Sequence, residues 1–311
     1  MNYKIVNGDI LIYSPDEFSI NQIFDCGQIF RYIISNQISY VVSMDKFALI
    51  LSNDDGVKII SSDSEYFENY FDLKTDYKVI KAQLSKDDFL KPCCEYGYGI
   101  RILKQNLYEM IVSFIVSANN NIKRIKKSLN LLAKTFGKKI RLPINCEKIL
   151  LKYYSQNNFD DGLLSFENGA IYYYSFPTLE ELKKATVQDL VRIGLGYRAE
   201  QLFKTIRMLK DEELDQFTLK TRDEKFKYLT SMSGVGSKVA NCVLLFGDYD
   251  TSSFPVDTWI NKVYNEINKT DFTNRIQIEK ELTDKYGCMS GYAQQYLFYY
   301  YRENYNKIHK N

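Results

Sequence analysis

Residues 229–259 read LTSMSGVGSKVANCVLLFGDYDTSSFPVDTW, and three features of this stretch could do chemistry. Gly234-Val235-Gly236 lies between two apolar-periodic segments, which predicts a tight turn aiming free backbone N–H groups outward at the start of a helix. Such a turn binds a phosphate through amides and helix dipole, with no positive side chain required. Lys238 falls in the first turn of the second helix, where the macrodipole disfavours a cation. A structural lysine is usually placed elsewhere, whereas a lysine that must attack as a neutral amine gains from that field. Asp257 follows nineteen positions later, in Pro255-Val256-Asp257-Thr258-Trp259. Taken alone, an aspartate in front of a helix reads as its cap.

These residues need a scaffold, and the chain divides into two patterns. Short β-rich runs recur at Phe30–Ile34, Ser39–Met44, Phe47–Ser52 and Val57–Ser61, separated by Asn/Gln, Asp and Asp-Gly turns; they read as an antiparallel meander. Beyond Asp63 the pattern turns helical. Leu107–Ala118 is apolar almost all round, as suits a buried helix, and Ile122, Ile125, Leu129, Leu132 and Phe136 mark one face of an amphipathic helix. Further helices fit Leu179–Ala185, Thr186–Ile193, Arg198–Lys210, Arg222–Met232, Ser237–Gly247, Thr258–Asn268, Arg275–Tyr286 and Ser290–Tyr305. Residues 143–167, mixed and polar, read as an inserted loop or short hairpin. The expectation is an α+β chain: an antiparallel β-sheet domain with flanking helices over 1–98, then an α-helical region over 99–311 with a helix-hairpin-helix at about 222–247.

At 311 residues with 15% aromatics, including 26 Tyr and 19 Phe, the chain can bury a large core and is not of disordered composition. Its net charge of +2 does not by itself indicate nucleic acid. The distribution is more telling: residues 119–141 carry Lys123, Arg124, Lys126, Lys127, Lys134, Lys138, Lys139 and Arg141 with no acid among them. Such a run is ordinarily a solvated helix face, but beside a phosphate-binding turn it reads as a strip along a DNA backbone. Cys26, Cys93, Cys94, Cys146, Cys242 and Cys288 lack metal-ligand spacing and His309 is the only histidine, so no zinc site is expected. Without a signal pattern or a bilayer-length apolar run, the expected location is soluble and intracellular, in cytoplasm, nucleoid or nucleus, with no membrane partner.

A hairpin turn, a first-turn lysine and a capping aspartate at this separation resemble the helix-hairpin-helix superfamily of base-excision DNA glycosylases. Four more segments resemble one branch, the 8-oxoguanine DNA glycosylase/AP lyases. They are Cys26-Gly27-Gln28-Ile29-Phe30-Arg31, Ser117-Ala118-Asn119-Asn120-Asn121-Ile122-Lys123-Arg124, Gly194-Leu195-Gly196-Tyr197-Arg198-Ala199 and Gly291-Tyr292-Ala293-Gln294-Gln295-Tyr296-Leu297-Phe298. They occur in the family's order; the triple asparagine and the LGYRA segment are the specific ones. The iron–sulfur branch, with four clustered cysteines near the C-terminus, does not fit, since only Cys288 lies there.

The resemblance implies roles. Lys238 is the amine that attacks the sugar C1′, and Asp257 is the active-site carboxylate. Gly27 offers a backbone carbonyl to the N7–H that oxidation creates on guanine, and a missing side chain permits close approach. Cys242, four residues after Lys238 and so on the same helix face, packs against the flipped base, although a small core cysteine is the plain reading. Gln294 meets the base's Watson–Crick edge and Phe298 its other face. Tyr197 wedges into the duplex, while Asn119, Arg124 and Arg198 hold the orphaned cytosine. Gly234, Val235 and Gly236 contact phosphate. Trp259 stands where eukaryotic members place a phosphate-binding histidine, so that contact is absent or made by an indole N–H.

The expected activity is a bifunctional glycosylase/AP lyase acting as a monomer on damaged double-stranded DNA. No cofactor or metal is required for the chemistry, although the hairpin carbonyls are a place for a monovalent cation. The rivals are a related glycosylase for another lesion, whose monofunctional members lack the lysine, and a non-catalytic hairpin module. The module would need neither Asp257 at that separation nor the NNN and LGYRA segments.

Overall fold

A computed structural model describes residues 1–35, 38–54, 56–154 and 162–308 of the chain. The expected Asn36-Gln37 turn, Asp55 of the Asp-Gly turn, residues 155–161 of the expected insertion, and His309 lie outside them.

Six strands form one antiparallel sheet in the order β1-β2-β6-β5-β4-β3. They are β1 (Tyr3–Val6), β2 (Asp9–Ile12), β3 (Tyr32–Ile33), β4 (Ile38–Ser43), β5 (Lys46–Asn53) and β6 (Gly56–Ser61). The run from β3 to β6 is the expected meander, each strand pairing with the next. β1 and β2 add a hairpin not expected above. Asn7 and Gly8 both take positive φ, 52° and 84°, as in the two-residue turns whose twist matches paired strands.

The sheet is buried on both faces, which explains why its strands read as nearly continuous apolar runs. Strand alternation sends Val41, Ala48, Ile50, Val57 and Ile59 to one side, where they meet Phe24, Phe67 and Phe71. Tyr40, Val42, Phe47, Leu49 and Ile60 go to the other side, against Leu142, Cys146, Leu150, Leu164, Ile171 and Tyr173. That second cover goes beyond the inserted loop or short hairpin expected at 143–167. The stretch holds the helix Ile144–Tyr154 and strand β8 (Leu164–Glu167). β8 joins β7 (Lys139–Arg141) and β9 (Ala170–Tyr174) in a small antiparallel sheet of order β7-β9-β8. Cys146 and Leu150 sit one helical turn apart on the buried side, and Asn168-Gly169, both at positive φ, closes the β8–β9 hairpin.

The helices beyond the sheet share one apolar core. The expected buried helix, Leu107–Ser117, packs along the second helix of the hairpin, Ser237–Gly247, with Phe114 stacked on Phe246 at 5.6 Å. Arg222–Thr230 is the hairpin's first helix, capped by Thr221 with Glu224 reaching back. A long C-terminal helix, Ser290–Ile308, packs on Leu90–Tyr96. Among the described residues no helix is long and apolar enough to cross a membrane.

Candidate active site and DNA-facing surface

A cleft of about 290 Å³ of empty space opens where these elements meet, lined by Cys26, Gly27, Phe114, Lys238, Cys242, Phe246, Pro255, Asp257, Gln294, Gln295 and Phe298. All six residues expected to perform catalysis or base recognition lie on this one surface. Lys238 and Cys242 come from one face of the Ser237–Gly247 helix, a turn apart. Lys238 is half-buried, its Nζ 5.2 Å from the centroid of the Phe114 ring. Burial pushes the Cys242 thiol pKa up, and the Lys238 ammonium opposes that shift. Asp257 caps the Thr258–Asn268 helix, its Oδ1 accepting from the Ile260 N–H at 2.9 Å. The side chain that caps this helix therefore also lines the cleft.

Gly27 has φ of +80°, and a Cβ built there would sit 3.2 Å from Phe298 Cε1. Backbone conformation and space both select glycine. The loop is pinned by Gln28, which is fully buried. Its Nε2 donates to the carbonyls of Ile23 and Arg101, its Oε1 accepts from the Leu103 N–H, and its own carbonyl accepts from Gln105. Sequence reasoning gave Gln28 no role, because Arg101, Leu103 and Gln105, three of its partners, lie more than seventy residues away. Arg302 was missed as well. Its guanidinium sits 5.4 Å from the Phe298 ring centroid, donates to the Asp25 carbonyl and pairs with the Asp25 carboxylate at 3.2 Å. It thereby ties the helix carrying Gln294 and Phe298 to the Gly27 loop. The spacing Gln294, Phe298, Arg302 was the available signal.

The hairpin turn has the geometry expected of an anion site. Val235 is buried and holds the turn in the core, whereas Gly236 is exposed, with nothing within 4 Å of a Cβ built on it. Gly236 is the N-cap of the Ser237–Gly247 helix and no side chain caps it, so the first-turn amides face outward without an internal acceptor. Gly234, at φ +86°, lies against Gln201.

Outside the cleft lining, the three asparagines differ in their surroundings. Asn119 is exposed in the left-handed region at φ 48°. Asn120 Nδ2 donates to the Val116 carbonyl, and Asn121 caps the basic helix Ile122–Phe136 by accepting from the Arg124 N–H. Tyr197 is 57% exposed. Arg124 is exposed, but Arg198 is only 5% exposed: its guanidinium donates to the carbonyls of Ala118 (2.6 Å), Asn119 (2.5 Å) and Leu195 (3.3 Å). In this state Arg198 holds the asparagine loop rather than reaching outward with Arg124. Trp259 is not among the cleft residues; its ring packs against Tyr305 at 5.4 Å.

The basic run is not uniform. Lys138, Lys139 and Arg141 pair with Glu181, Glu167 and Glu147. These acids come from later in the chain and could not be seen by looking within 119–141. Lys123, Arg124, Lys127 and Lys134 have no carboxylate within 4 Å among the described residues and are exposed. Among the described residues no group of three His, Cys, Asp or Glu side chains could hold a metal ion.

Residues 10–111 match the family of the 8-oxoguanine DNA glycosylase N-terminal domain, and residues 112–287 match the HhH-GPD superfamily of base excision DNA repair proteins. A probable N-glycosylase/DNA lyase of Methanothermobacter thermautotrophicus is 29% identical over 262 residues, covering 77% of this chain and 75% of that protein. An N-glycosylase/DNA lyase of Saccharomyces cerevisiae is 33% identical over 207 residues, covering 61% of this chain and 47% of that one. Among solved structures, the 8-oxoguanine glycosylase/lyase of Clostridium acetobutylicum, in complex with double-stranded DNA containing cytosine opposite 8-oxoguanine, superposes with a TM-score of 0.83. It is 33% identical, over 98% of this chain and 99% of that one.

Proposed function

The chain belongs to the HhH-GPD superfamily of base excision DNA repair proteins, and from that membership we propose how its residues divide the excision of a damaged base. The activity is that of a DNA N-glycosylase with AP lyase activity, acting on 8-oxoguanine in duplex DNA. The observation that carries the reading is the convergence of Gly27, Lys238, Cys242, Asp257, Gln294 and Phe298 on one cleft.

The hairpin amides and the basic helix grip the phosphates, and Tyr197 fills the gap left by the flipped nucleotide, offsetting part of the roughly few kcal/mol that unstacking costs. Asn119 and Arg124 meet the orphaned cytosine, and Arg198 joins them if it releases its carbonyls. The base enters between Cys242 and Phe298, and the Gly27 carbonyl accepts from N7–H, a donor that normal guanine lacks. Lys238 Nζ, as the free amine, attacks C1′; the C1′–N9 bond breaks with its electron pair on the base, which takes up a proton. Asp257 stabilises the positive charge developing on the sugar, and preorganised electrostatics of this kind are worth about 3 kcal/mol. Ring opening gives an imine on Lys238. Loss of a C2′ proton then expels the 3′ phosphate, and water releases the enzyme. The protein acts as a monomer, wherever the cell keeps its DNA.

The test is a duplex carrying one 8-oxoguanine opposite cytosine, with borohydride to trap the imine. Wild type forms a covalent adduct and Lys238→Gln forms none while still binding the lesion. Base release without any adduct would show a monofunctional enzyme and a misassigned Lys238.

A further inference from the structure

We infer that Gln295 is a second reader of the flipped base, its amide carbonyl accepting from the 2-amino group of the guanine ring beside the groups read by Gln294. The inference rests on the functional reading above and adds a specificity-determining residue to it.

Gln294 and Gln295 are consecutive on the C-terminal helix, and both line the cleft. Gln295 is 2% exposed. Its Nε2 donates to Gln294 Oε1 at 2.8 Å, and its own Oε1 is buried with no hydrogen-bond partner. Other buried atoms of this chain also lack a partner, Ser165 Oγ and the Tyr70 hydroxyl among them, but Gln295 is the residue of that set that lines the cleft, next to Gln294, so its acceptor is the one placed for a ligand. The bond between the two amides also fixes their orientations. It uses one lone pair of Gln294 Oε1, leaves the other free, and leaves the Gln294 NH₂ as a donor.

The pair therefore presents two acceptors and one donor. Oxidation at C8 leaves the Watson–Crick edge of guanine unchanged, and that edge is the complement: donors at N2 and N1, an acceptor at O6. Gln294 alone matches N1–H and O6. Gln295 Oε1 is then the acceptor available to the 2-amino group. An adenine edge, with one donor and one acceptor, would leave one amide oxygen unpaired, and sites built to hydrogen-bond a group discriminate strongly against analogues lacking it.

8-Oxoinosine differs from 8-oxoguanosine only by lacking that amino group, so paired duplexes carrying each lesion opposite cytosine isolate the contact. Wild type should release 8-oxoguanine with a kcat/KM at least about tenfold above that for 8-oxohypoxanthine. In Gln295→Leu the ratio should fall to within about threefold, through a larger loss on 8-oxoguanine than on 8-oxohypoxanthine, with thermal unfolding showing the variant folded. An unchanged ratio, or an equal loss on both lesions, would overturn the assignment, the latter marking Gln295 as packing only. If Gln295→Leu does not fold, Gln295→Met, unbranched and of similar length, removes the amide with less change of shape. Its ratio should fall in the same way, and an unchanged ratio there would equally overturn the assignment. Wild type that releases 8-oxoguanine but treats both lesions alike removes only the role of Gln295. Wild type that releases neither base sinks the functional reading and this inference with it.

Discussion

The cleft and the cover on the far face of the sheet are both assembled from segments distant in the chain, but their carboxylates and amides are engaged to different degrees. In the cover, Glu147 is buried and fully engaged: one oxygen accepts from the Ile171 N–H at 2.9 Å, the other from Arg141 at 3.1 Å. Lys139 is answered by Glu167, and the Tyr173 hydroxyl by the Asp45 carbonyl at 2.7 Å. In the cleft, capacity is left open. Gln295 Oε1 has no partner, Asp257 has only one oxygen in its cap bond, and the amides after Gly236 meet no capping side chain. The bonded carboxylate of Glu147 serves the fold, the open oxygen of Gln295 lies at the cleft, and Ser165 Oγ, buried without a partner, is the exception in the cover. The stretch 143–167, which in sequence reads as an inserted loop or short hairpin, packs on the sheet in its described part.

The largest expected break comes at Asp257. Asn caps a helix as well as Asp does, so Asp257→Asn keeps the bond to the Ile260 N–H but loses the charge. Single-turnover excision should slow by about 100-fold to 1,000-fold, with the melting temperature held within a degree or two. Asp257→Ala should add a stability loss of about 1 kcal/mol. Equal stability losses in both variants, with little change in rate, would reduce Asp257 to its cap.

On the cover the effect should reverse. Glu147→Ala leaves the buried Ile171 N–H without an acceptor, which costs about 1–3 kcal/mol. Chemical denaturation should show that loss, while excision per folded molecule stays at the wild-type rate. A fall in DNA affinity would return the cover to the substrate surface. Between the two lies Gly27→Ala, which puts a side chain at φ +80° and 3.2 Å from Phe298. The left-handed conformation alone costs about 1–2 kcal/mol, and displacement of the ring should slow excision of 8-oxoguanine more than lyase action on a preformed abasic site. Equal slowing of both steps would place the fault outside the base pocket.

The same division explains what could be read from the chain. The hairpin, its lysine, the capping aspartate and the long helices were legible because each depends on residues close in sequence. So were β3 to β6. The β1–β2 and β8–β9 hairpins carried a readable signal in Asn7-Gly8 and Asn168-Gly169 that was passed over. Gln28 was not legible at all: its role exists only because Arg101 and Leu103 arrive beside it. Arg198 looked like a free cation because its partners are backbone carbonyls, which no side-chain pattern reveals.

The smallest effect sharpens the comparison within the basic run. Lys123 is exposed with no carboxylate near it, and Lys139 is paired with Glu167. If open valence is the criterion, only Lys123 releases a counterion when a phosphate binds. Lys123→Ala should weaken binding to lesion and undamaged duplexes alike, and lower the slope of log affinity against log salt by about 0.9. Lys139→Ala should leave that slope where it was, since its charge is already balanced within the fold. A shared loss of slope would mean that the duplex runs past the end of the helix to β7 and draws Lys139 away from Glu167. Exposed ion pairs are worth only about 0–1 kcal/mol, so such an exchange is energetically accessible and the two slopes decide it.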